Sequence, residues 1–97
     1  MPKESFLAEV SQAITLYERT IGQVATRTRQ MIEDYGEIEA LSRLMISADL
    51  QQGFKGLRDA DKLDSTFEAI VVRFPDLFAA DVVEAAKWRL ENSHNLL

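Results

Sequence analysis

Residues 5–36 read SFLAEVSQAITLYERTIGQVATRTRQMIEDYG, and their spacing decides the fold. Leu7, Val10, Ile14, Tyr17, Ile21, Val24, Thr28, Met31 and Tyr35 recur at alternating steps of three and four. That is the a/d pattern of an amphipathic helix with a coiled-coil seam, broken in polarity only by Thr28. Ser5 suits the N-cap, where a side-chain oxygen accepts from an unpaired backbone N–H. Gly36 suits a left-handed C-terminal cap. Gly22 is the one objection, because glycine inside a helix costs about 1 kcal/mol relative to alanine. Thr20 and Gln23 around it have the spacing of a capping box that would start a second helix. The apolar phase nonetheless passes from Ile21 to Val24 without a slip. The expectation is therefore one continuous helix, with a break at Gly22 as the alternative.

The continuous reading has a consequence for assembly. At about 1.5 Å per residue, a helix over residues 6–35 is about 45 Å long. A compact chain of this length has a radius of gyration of about 12.5 Å and a diameter of about 33 Å. The overhang leaves an apolar stripe that a second copy covers most simply, in a two-fold contact. The expected homodimer seam is Leu7, Val10, Ile14, Tyr17, Ile21, Val24, Thr28 and Met31.

Working outward, a second helix is predicted from Glu37 to about Ser47. Ile38, Leu41, Leu44, Met45 and Ala48 form its apolar face, and Glu39 and Arg43 an exposed i,i+4 pair. Residues 49–64 read as a loop with a short helical turn around Phe54–Asp59, anchored by Phe54, Leu57 and Leu63. Ser65 with Glu68 has the spacing of a capping box for a third helix bearing Phe67, Ile70, Val71 and Phe74, which Pro75 stops. A fourth helix runs from about Ala80 to Asn92 with Val82, Val83, Ala86 and Leu90 inward. Residues 93–97 are expected to fray as a tail. No convincing strand appears. The predicted class is all-α: a single helical domain over 1–97, a bundle of one long N-terminal helix and about three shorter ones.

Composition narrows the chemistry. The 97 residues are 46% apolar and 28% charged, as in ordinary globular domains. They contain no cysteine, which removes disulfide and thiolate chemistry. No apolar run is long enough to span a bilayer, and MPKESFLAEV lacks the apolar core of a signal peptide, so a cytoplasmic protein with no membrane contact is expected. The net charge of −5 disfavours a general grip on nucleic acid, which needs a positive face to displace counterions.

His94 is the only histidine and sits in the expected tail, so no nucleophile–base set assembles around it. Asp59, Asp61 and Asp64 begin like a calcium loop but fail at its glycine and final glutamate positions. Glu33, Asp34, Glu37 and Glu39 straddle the Gly36 turn without a spacing that fixes them on one wall. Gly53-Phe54-Lys55-Gly56 has the GXXG form of an RNA-clamping loop but not the sheet that module needs. No catalytic, cofactor or metal residue is therefore assigned, and no cofactor is expected. Arg19, Arg27, Arg29 and Arg43 are the candidates for a local basic surface. Trp88 lies about 140° around its helix from Val83, off the inner stripe, and reads either as a partner contact or as a lid on the core edge.

The stretch from Gly53-Phe54 through Lys62-Leu63-Asp64-Ser65-Thr66-Phe67-Glu68-Ala69, Leu77-Phe78 and a closing helix with Ala86 and Arg89-Leu90 resembles small, uncharacterised helical proteins of bacteria, some carried on mobile gene cassettes. The resemblance covers residues 53–90 and implies an all-helical fold of bacterial origin. It implies no activity. Ala79 stands where such proteins often have Ser or Thr before the last helix. The functional expectation is a non-enzymatic protein–protein interaction module acting as a homodimer, with Trp88 free to meet an unknown protein. The alternatives are a nucleic-acid-associated regulator using the arginine face and a small enzyme with a carboxylate/arginine pocket.

Overall fold

The computed structural model describes residues 2–47 and 52–93. Six α-helices lie among them: α1 (Pro2–Ile21), α2 (Thr26–Tyr35), α3 (Glu37–Ile46), α4 (Gln52–Asp59), α5 (Phe67–Arg73) and α6 (Ala80–Glu91). Single 3₁₀ turns at Leu63–Ser65 and Pro75–Leu77 flank α5. No described residue lies in a strand, so the all-α class holds. None of the helices is long and apolar enough to cross a membrane.

The unbroken helix over 6–35 is corrected. The chain leaves the helix at Gly22, which adopts φ 78°, a left-handed conformation that glycine takes without a steric penalty. Glu18 stabilises the turn. Its carboxylate accepts from the Ala25 backbone N–H at 2.7 Å, a donor that has no partner inside α2. Oε2 and Oε1 also accept from Arg29 Nε at 2.8 Å and Nη2 at 2.7 Å. The apolar phase runs through the turn, but the backbone does not. Gly36, with φ 82°, closes α2 as the sequence suggests.

With the break, α1 does not overhang the described fold. The described fold measures 30 × 26 × 23 Å with a radius of gyration of 12.2 Å. A 20-residue α1 is about 30 Å long, so it spans the molecule without leaving it.

The face of α1 that enters the core is centred on Phe6, Val10, Ala13 and Ile14, an i, i+4, i+7, i+8 stripe. Phe6 is fully buried, with Phe74 and Phe78 meeting it edge-on at ring-centroid distances of 5.7 Å each. The core is completed by Leu41, Leu44 and Met45 of α3, Ile70 and Val71 of α5, and Val82, Val83 and Ala86 of α6. On the outside, Arg73 fastens α5 to α1 through Glu9 Oε1, with Nη2 at 2.6 Å.

Other local expectations shift in detail. Residues 52–59 are a full two-turn helix rather than a loop with one turn, and Phe54 and Leu57 are its buried anchors. The Gly53–Gly56 stretch is therefore helical, not a clamping loop. The cap of α5 is Thr66, whose Oγ1 accepts from Ala69 N at 3.2 Å, while Ser65 lies in the preceding 3₁₀ turn. The capping box expected from Ser65 and Glu68 does not form, and Glu68 points elsewhere. Ala48, Asp49 and His94 lie outside the described residues.

Candidate functional site

Two features stand out among the described residues: an open groove edged by arginines, and a buried ion pair beside it. The turn at Gly22 creates the groove. By folding α2 back, it leaves a space of about 770 Å³ between the second half of α1, α2, the end of α3, α4 and the start of α5. Tyr17, Met31, Phe54, Leu57 and Phe67 line it, with Thr26, Thr28, Ser47 and Ser65 as polar edges. A concavity of this size, apolar with a few polar groups, is the common form of a ligand or partner site. Phe54 and Leu57 form buried inner wall, whereas Val24 is 71% exposed and marks the mouth.

The charges around it are unequal. Arg27 and Arg43 both border the groove. Arg43 sits 4.1 Å over the Tyr35 ring and pairs with Glu39 at 3.2 Å. Arg27 is exposed and has no ion pair among the described residues. Glu68 is the sole acid among the described residues of the lining, and it is committed elsewhere.

Glu68 and Arg89 are both buried, with Arg89 Nη1 3.1 Å from Glu68 Oε2. Arg89 also donates to the Leu44 carbonyl at 3.2 Å and, through Nη2, to the Ser47 carbonyl at 2.7 Å. These carbonyls belong to the end of α3, where the helix leaves its last acceptors unpaired and carries partial negative charge. One guanidinium therefore ties α3, α5 and α6 together. Burial pushes the Glu68 carboxyl above its usual range, outweighing its own backbone N–H and Arg89, which pull it down. At the exposed Gly22 turn the opposite holds: Arg29 first, then the Ala25 N–H, holds Glu18 down to about 2.

The pair was missed in the sequence, where Leu90 was assigned inward. The signal was present. Val82, Ala86, Arg89 and Ser93 fall on one stripe at i, i+4, i+7 and i+11, and all four are buried. An arginine on an apolar stripe requires a buried acceptor set.

The expected seam residues are not brought together on one face. Val10 and Ile14 are buried in the core, Leu7, Tyr17, Thr28 and Met31 are half-buried, and Ile21 and Val24 are exposed. Arg19, Arg27, Arg29 and Arg43 are all exposed, but Arg29 is spent on Glu18 and Arg43 on Glu39 and Tyr35. Trp88 is 55% exposed on α6. Ile46, also 55% exposed, ends α3, the helix that Arg89 joins to α6. Compared with known protein families, curated proteins and solved structures, the chain matches none.

Proposed function

We propose that this chain is a non-enzymatic protein–protein interaction module that acts as a homodimer through the face carrying Trp88. The observation behind it is a tryptophan more than half exposed on a helix fixed to its neighbours by a buried arginine. Tryptophans anchor interfaces because one rigid ring buries a large area at little entropic cost. The seam moves from the α1 stripe, whose Val10 and Ile14 already serve the monomer core, to Trp88 and Ile46.

The other readings have less support. A nucleic-acid role is left with Arg19 and Arg27 as uncommitted cations on a chain of net charge −5. An enzyme with a carboxylate/arginine pocket finds such a pair in Glu68 and Arg89, but the two groups satisfy one another and the end of α3.

Trp88 is the only tryptophan, so its emission reports on this face alone. Light scattering at micromolar concentration is expected to give twice the chain mass of 11.0 kDa, with Trp88 emission moving to the blue as concentration rises. Trp88→Asp is expected to return the 11.0 kDa mass throughout the micromolar range, with the melting temperature that wild type reaches on dilution below its dimerisation range. A wild-type protein of single-chain mass throughout the micromolar range would overturn the proposal.

A further inference from the structure

The groove faces a different question from the Trp88 surface, because its chemistry suits a small molecule. Its volume of about 770 Å³ lies within the range of pockets that enclose drug-sized ligands. Its walls are aromatic and aliphatic, which favours an apolar body. Its charge is one-sided. Two guanidiniums border it, and Glu68, the sole carboxylate among the described residues of the lining, is engaged by Arg89; Glu18 and Glu39 are engaged by Arg29 and Arg43. Of the two, Arg27 has no counter-charge among the described residues, and a guanidinium beside an apolar wall is a strong, directional partner for a carboxylate.

We propose that the groove between α1, α2 and α4 binds a small amphipathic carboxylate, its chain among Tyr17, Phe54, Leu57 and Phe67 and its head group on Arg27. The polarity follows from the arrangement. The buried residues Phe54 and Leu57 form the inner wall, and the exposed Val24 and Arg27 stand at the mouth. A linear carboxylate therefore enters tail first and leaves its charge at the rim. A cationic amphiphile of the same length meets the same walls but the wrong rim.

Dodecanoate, below its micellar concentration, is a direct probe. Titration followed by NMR of the methionine methyls is expected to give saturable one-site binding. Met31, which lines the groove, shifts, and Met45, buried in the core, does not. Arg27→Ala, at an exposed residue outside any ion pair among the described residues, is expected to weaken dodecanoate about tenfold or more while leaving the melting temperature unchanged. Val24→Asp, at a 71% exposed position, places a like charge at the mouth and is expected to act in the same direction. Dodecyltrimethylammonium is expected not to move the Met31 methyl. Equal affinity for dodecanoate in wild type and Arg27→Ala, equal binding of the cationic amphiphile, or shifts without saturation would each overturn the proposal. The Trp88→Asp variant is expected to bind dodecanoate as wild type does, so the outcome is independent of the homodimer.

Discussion

Two carboxylates carry the sharpest residue-scale consequences, and their signs are opposite. Glu18 is held down to about 2 from an ordinary 4.5, so its contribution to folding is complete above the unfolded value and is lost as pH falls through about 2. NMR titration of its side-chain carboxyl is expected to give a midpoint near that value, with the protection of the Ala25 amide disappearing in the same range. Glu68 is raised by burial, so what it contributes is present below the unfolded value and fades as pH rises through its own. Removing its partner exaggerates this. Arg89→Met leaves a buried, uncompensated carboxylate and orphans the Leu44 and Ser47 carbonyl bonds, a loss of about 3–5 kcal/mol by analogy with other buried pairs. Denaturant melts are expected to show that loss at neutral pH and a smaller one in acid, where Glu68 is protonated. Adding Glu68→Leu is expected to recover part of it. The pair was legible as an arginine out of place on α6, but not as a partnership. Glu68 at the start of a capped helix has an ordinary local reading, and only the tertiary fold shows that its side chain turns inward.

At the scale of elements, the sequence marks helices well and their junctions less well. The limits of α3, the end of α5 and the limits of α6 follow from Gly36, Pro75 and apolar spacing within a residue or two. Gly22 is the instructive case. An unbroken apolar phase and a single unfavourable glycine favoured continuity, because the sequence-level cost of Gly22 is only about 1 kcal/mol. What tips the balance is non-local in sequence: the Glu18 carboxylate reaches seven and eleven residues ahead, to Ala25 and Arg29. Side-chain closure of a turn over that distance leaves no periodic trace. Gly22→Ala is expected to test the turn. A left-handed φ costs a residue with a Cβ about 1–2 kcal/mol, and the stiffer unfolded chain returns about 0.4–1 kcal/mol. The net loss of about 1 kcal/mol corresponds to a fall of about 4–8 °C in a domain of this size, readable by calorimetry. The same folding-back of α2 that hid the break produces the groove, which is why the groove had no sequence signature although Tyr17, Val24 and Met31 were singled out as a stripe.

For the whole molecule, the relevant comparison is between one helix and one diameter. A rod over 6–35 would project beyond the globule, whereas α1 alone matches its 30 Å long axis. The apolar surface that remains outside is therefore local: Trp88 and Ile46 on one pair of helices, Ile21, Val24 and Tyr35 around the groove. Isolated exposed apolar residues are common on monomers, so mass rather than pattern decides the proposed homodimer. The Trp88→Asp experiment reads assembly directly: its discriminating result is a single-chain mass with a melting temperature that does not depend on concentration, while the wild-type value rises with concentration. Composition and periodicity were sufficient for the all-α class. They were insufficient for the assembly argument, which depended on one junction being straight.

The turn at residues 22–25 has a last implication. α1 is fastened at two places, by Phe6 against Phe74 and Phe78 with Glu9 on Arg73, and by the Glu18–Arg29 clasp at the turn. The first fastening is largely apolar and the second is ionic, so acid is expected to release the turn end of α1 before the core end, with amide protection lost first around Ala25 as pH falls through about 2.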